Sequence, residues 1–103
     1  MSAKKFSVKK VDRDEFLAIF ALGTNFFSQG QYKKAQVIFA GLMALDTESE
    51  QANIAYGESL LMAGHVRKAM HHFLRAKKRF ASSMLEAGLA KAAILLKKAK
   101  VDY

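Results

Sequence analysis

The sequence predicts an all-α fold: two helical hairpins of matching sequence, followed by a fifth helix that closes the stack. Three observations carry that reading. Like residues recur at an offset of 34, polar caps with a glutamate three positions on occur at three places, and the 103 residues contain no proline. A chain without proline has nothing to break a helix from within.

The offset pairs Gly23 with Gly57, Gly30 with Gly64, Lys34 with Lys68, Ala35 with Ala69 and Phe39 with Phe73. Five identities at one spacing in so short a chain define a repeat, and the stretch from Gly30 to Ala35 returns as Gly64 to Ala69. A unit of this length is a helix–turn–helix. Gly23 and Ala35 are small residues placed where two antiparallel helices must come close, and Phe39 fills the space between that pair and the next. Gly57, Ala69 and Phe73 repeat the arrangement. Gly30 and Gly64 fall in the turns, where glycine takes the left-handed conformation most easily.

Helix starts follow from the capping-box pattern, in which a polar cap is followed three residues later by Glu. Asp12 with Glu15, Thr47 with Glu50 and Ser83 with Glu86 fit it. With the glycine turns, helices are predicted over 13–29, 32–45, 48–63, 66–80 and 84–100. The first four form two repeats and the fifth caps the stack by covering the last apolar face. Residues 13–100 thus form one domain. Residues 1–12, with Lys4, Lys5, Lys9 and Lys10, lack periodicity and read as a mobile basic segment, in which Phe6, Val8 and Val11 could dock on a partner.

Apolar residues make up 51% of the chain, more than a thin two-layer fold can hide, so an exposed apolar patch is expected. There is no cysteine, which excludes disulfides and suits a reducing compartment. No signal peptide and no run long enough to span a bilayer is evident, so the expected location is the cytoplasm. The net charge of +8 is uneven: residues 1–50 carry 7 basic and 6 acidic side chains, residues 51–103 carry 10 and 3. Six basic residues and no acidic one lie between Arg67 and Arg79. Such a run suits an anionic partner or a solvated helix face. Nucleic acid would need a stacking platform, but of the neighbouring aromatics, Phe73 and Phe80, the repeat assigns Phe73 to the core. Specific nucleic-acid binding is not expected.

Chemistry-bearing patterns are missing. His65 sits at a turn, adjacent His71 and His72 point to different sides of a helix, and no pair has metal-ligand spacing. Solvated or partly packed histidines are expected. Glu50 and Glu58 are two turns apart on one helix, no nucleophile stands beside a base, and the six glycines form no phosphate loop. The chain is not expected to be an enzyme, to bind a small-molecule substrate, or to need a metal or cofactor.

These glycines, alanines and phenylalanines occupy the eighth, twentieth and twenty-fourth positions of a repeat counted from Phe16 and again from Glu50. The pattern resembles that of tetratricopeptide repeats, which implies helical hairpins whose first helices line a concave face. By that resemblance, groove positions fall on Leu17, Phe20, Thr24 and Phe27, then on Gln51, Ile54, Glu58, Leu61 and Met62. Most are large and apolar, which suits an apolar helix face or an extended apolar segment. Fully burying Phe20, Phe27, Ile54, Leu61 and Met62 would contribute about 8–15 kcal/mol, before the costs of ordering and association. The same side chains could instead pack against the fifth helix or a second copy of the chain.

The groove cannot form the clamp of co-chaperones that grip the C-terminal carboxylate of heat-shock proteins, because those place Lys and Asn where Phe20 and Thr24 stand. Over residues 13–100 the chain is similar to the tetratricopeptide chaperones of bacterial type III secretion, and its length to the needle-subunit chaperones among them. That resemblance implies a role in bacterial protein transport and virulence, holding the amphipathic C-terminal helix of a secreted needle subunit. It also implies a second small helical co-chaperone on the N-terminal repeat, so that Phe16, Phe20 and Phe27 could serve either contact. Thr47 and Ala81 replace the proline that often ends a repeat, and the chain is more basic than the resemblance predicts. A structural adaptor or self-associating domain is the alternative, followed by a basic nucleic-acid accessory protein.

Overall fold

A computed structural model describes the backbone of residues 12–101 and the side chains through Lys98. Residues 1–11, which hold most of the expected basic segment, lie outside it. The described chain is five helices: α1 (Arg13–Ser28), α2 (Tyr32–Leu45), α3 (Glu50–Met62), α4 (Val66–Lys77) and α5 (Ser83–Val101). Each helix packs on the next, and α3 also touches α5.

The first helix begins as its sequence dictates. Asp12 accepts the Asp14 N–H at 2.8 Å while its own N–H donates to Glu15 at 3.2 Å, a closed capping box. Asp12 therefore belongs to the helix start rather than to the preceding segment. The two hairpin turns close identically. Gly30 and Gly64 have φ of +78° and +92°. In the first turn Gly30 donates to Phe27 and Gln31 to Phe26; in the second Gly64 donates to Leu61 and His65 to Leu60. This is the paired Schellman pattern that satisfies the last carbonyls of a helix.

Two caps differ from the sequence expectation. The third helix starts at Glu50 with Ser49 as its cap, whose hydroxyl accepts the Ala52 N–H at 3.0 Å. Thr47 instead lies in a turn where Asp46 accepts the Glu48 N–H at 3.1 Å. An aspartate just upstream competes for the chain, and the helix begins two residues late. For α5 the hydroxyl of Ser82, not Ser83, accepts the Met84 and Leu85 N–H groups at 3.2 and 3.4 Å. The fourth helix stops at Lys77, because the Ala76 carbonyl accepts from both Arg79 and Phe80 and tightens the last turn.

Phenylalanine rings set the helix spacing. A Cβ added at Gly23 would lie 2.6 Å from the Phe39 ring, and one added at Gly57 would collide with Phe73. A Cβ at Gly88 of α5 would meet the same Phe73 ring at 2.6 Å, so two helices close on it from both sides. Ala35, Ala69 and Phe73 are fully buried and Phe39 nearly so. The core comes in two clusters. One joins Leu60 and Leu61 to Ala69, Phe73, Ala76, Leu85 and Ala92; the other, smaller, gathers Phe16, Leu42 and Ala52.

Two side chains of the histidine and basic segments have structural work. His72 is buried, more completely than the solvated or partly packed state expected, with Nε2 2.8 Å from the Asn53 carbonyl and its ring edge-on to Tyr56. A carbonyl only accepts, so Nε2 carries the proton and donates. Arg79 donates to the Thr47 carbonyl at 2.6 Å and pairs with Glu48 at 3.4 Å, strapping the end of α4 to the turn before α3. Both partners of that pair are well exposed, so the ion pair itself contributes little.

Two predictions follow from this packing. Gly57→Ala should destabilise by about 1–3 kcal/mol through overpacking on Phe73. Gly41→Ala, in α2 with nothing within 4 Å, should stabilise by up to about 1 kcal/mol. Urea melts of the two variants check the contrast. For His72, burial pushes the imidazole below its ordinary range; the Asn53 carbonyl opposes this and Arg75 adds to it. The unfolded chain then takes up a proton at a higher pH than the fold does. The neutral-form stabilisation is present above about pH 6.5 and is lost as pH falls toward the lower folded value. His72→Gln should be less stable at pH 7.5 yet lose less stability by pH 5 than the parent, as read by thermal melts at both values.

Candidate functional site

A cleft opens between the first helices of the two hairpins. Phe20, Thr24 and Phe27 of α1 form one wall, Ala55 and Glu58 of α3 the other, and the Phe39 ring of α2 the floor. Its volume is about 160 Å³. The rings are held by neighbours: Phe20 lies 5.9 Å from Phe16 and 5.4 Å from Phe39, and Phe27 meets Tyr32 edge-on at 5.1 Å. Thr24 spends its hydroxyl on the Phe20 carbonyl at 2.9 Å, so it adds little polarity to the wall. Glu58 is half-buried, and no ion pair or hydrogen bond engages its carboxylate among the described residues.

Helical periodicity extends the cleft into a groove. On α3, Gln51, Ala55, Glu58 and Met62 share one face at steps of three and four. From Gln51 to Met62 that face runs about 16 Å at 1.5 Å per residue. Gln51 reaches a polar recess beside Arg13, Phe16, Asp46, Ser49 and Glu50. Met62 is 51% exposed at the other end, and Leu17, seven residues before Thr24 on α1, is 46% exposed.

Ile54 and Leu61 do not line the cleft. Leu61 is 7% exposed within the larger core cluster, and Ile54 packs against that cluster. On α3 they sit to one side of the groove face and turn to the core that α4 and α5 complete, so their burial is already used in folding. Ala55 was missed from sequence because large side chains drew attention; its place four residues after Gln51 and three before Glu58 was the available signal. With Ile54 and Leu61 removed and the rings of Phe20 and Phe27 already largely covered, the burial still open to Leu17, Phe20, Phe27 and Met62 falls to about 2–4 kcal/mol.

The outer side of α5 leaves Met84, Ile94 and Leu95 exposed by 55%, 65% and 40%. A helix expected to close the stack thus covers Phe73 but carries an uncovered apolar stripe of its own. His65 and His71 are exposed, and among the described residues no group of three or more His, Cys, Asp or Glu side chains comes together as a metal site. No described helix is long and apolar enough to cross a membrane.

The sequence matches the family described as tetratricopeptide repeat over residues 26–94, about two thirds of the chain. The match runs from the last turn of α1 through α2, α3 and α4 into α5. No curated protein and no solved structure matches the chain. Repeats of this family are helix–turn–helix units that stack side by side and present extended surfaces to other proteins. The 34-residue hairpins, their Schellman turns and the glycine-to-phenylalanine packing agree with that match, and the chain belongs to the tetratricopeptide repeat family.

Proposed function

We propose that this chain is a holding chaperone for an aggregation-prone helical protein, of the kind that type III secretion exports as its needle subunit. The observation that supports it is the cleft between α1 and α3, whose phenylalanine rings on the α1 wall and the floor are set before any partner arrives. An amphipathic helix of the substrate would lay its apolar face along the groove from Gln51 to Met62 and be withheld from assembly in the bacterial cytoplasm. The type III reading rests on the apolar character of the groove. A second small helical protein would cover the exposed part of the N-terminal hairpin around Leu17.

A self-associating adaptor is the second reading, favoured by the apolar stripe Met84, Ile94 and Leu95 on α5. It requires a stable homodimer of the isolated chain, which light scattering would detect.

The groove reading predicts that Ala55→Phe plugs the cleft while leaving the core residues in place. Co-expressed with the needle-type subunit of its own genome, the parent should hold that subunit soluble. The variant should retain its helix content and melting point and capture at least about ten-fold less subunit, a loss of about 1.4 kcal/mol. Undiminished capture by a folded variant would sink the groove assignment.

A further inference from the structure

The charge of this chain is sorted by helix layer. The first helices of the hairpins, α1 and α3, carry Asp14, Glu15, Glu50 and Glu58 against a single basic residue, Arg13. The second helices, α2 and α4, carry Lys33, Lys34, Arg67, Lys68, Arg75 and Lys77 and no acidic residue. A chain of net charge +8 therefore turns its least basic side to the groove. Among the residues lining the central cleft one is ionisable, Glu58, on the α3 wall with Ala55.

A partner that fills the apolar cleft strips water from Glu58. A buried carboxylate without a donor is costly, whereas a charge-assisted hydrogen bond is among the stronger polar contacts. The apolar surface left open on the groove is too small to supply useful affinity alone, so a polar contact of this kind matters to the balance. The recess at the far end, about two turns away, holds Asp46 and Glu50 against Arg13, so its two carboxylates outnumber its one cation. Of the six cations of α2 and α4, Lys34 reaches over to α1, its Nζ 5.6 Å from the Phe26 ring; the other five belong to the second-helix layer, about a helix diameter of 10 Å away. Physiological salt screens over about 8 Å, so they act weakly on a ligand in the groove.

We infer that the groove selects an amphipathic helix whose apolar face is flanked by lysine or arginine, with Glu58 as the residue that reads the cation. The inference rests on the groove reading above and names the partner chemistry of that site. It runs against the sign of the whole protein: a basic chain prefers a basic ligand at this one place. Groove-to-groove pairing with a second copy of the chain is disfavoured on the same ground, because it would bring α1 and α3 against like-charged helices.

The test uses the full chain and two synthetic amphipathic helices of about 14 residues, long enough to span the groove. They share one leucine face and differ only in carrying Lys or Glu beside it. Calorimetry at low salt should show the Lys peptide bound at least about ten-fold more tightly. Glu58→Gln, which breaks no contact of the fold, should bring the two peptides together, and Glu58→Lys should reverse their order. Equal binding, or tighter binding of the Glu peptide, with both blocked by Ala55→Phe, overturns the charge reading and leaves the groove standing. Binding of neither peptide, or binding that Ala55→Phe does not change, overturns the groove itself and the inference with it.

Discussion

The stack depends on the distance at which Phe39 and Phe73 hold their helices. Each ring fits only because the facing position has no side chain: Gly23 for Phe39, and Gly57 and Gly88 for Phe73. Hydrophobic burial would bring any apolar helices together, but without directional preference. A rigid ring seated on bare backbone permits one depth and one rotation, so it converts burial into geometry. The same close approach lets His72 reach the Asn53 carbonyl, a bond that needs α3 and α4 nearly in backbone contact. Hairpin spacing, the buried imidazole and the docking of α5 follow from these three glycines.

The two junctions of the stack are consequently unlike. Around Phe73 the space is closed from both sides, and α3 reaches α5. Around Phe39 only Gly23 closes in; on the α3 side stands Ala55, and the ring is left as the floor of a cleft. A single repeat pattern has therefore made one sealed joint and one open one. The open joint is where an apolar guest fits without displacing anything.

Much of this was legible in sequence because the repeat displays its own register. Matching glycines 34 residues apart locate both turns, and their positive φ follows from steric rules that apply to one residue at a time. The misses have a common cause: they depend on what stands across from a residue. Thr47 has the capping-box glutamate and Ser49 does not, yet Ser49 caps α3, because Asp46 holds the chain at Thr47 in a turn. Ile54 and Leu61 share a helix with the groove but turn to a core that exists only once α5 has docked. His72 reads as a surface residue in a basic run until α3 supplies a carbonyl. Gly88 has no partner at the repeat offset: it follows Gly57 by 31 residues, and Ile54 stands 34 before it. The charge sorting between layers was present in the sequence, but it was obscured by counting halves of the chain rather than helices.

The division of the core into two clusters gives the molecule unequal halves. Each set ties three helices together and both include α3, but the N-terminal set is the smaller. In a stack whose units touch only their neighbours, opening is local, and the part with fewer buried contacts opens at lower free energy. The first hairpin carries the smaller set and the last three helices the larger. A guest wedged between Phe27 and Ala55 would touch both, joining the two clusters into one cooperative body. Occupancy and rigidity of the first hairpin would then rise together, and amide exchange there would report the guest as faithfully as any contact with it.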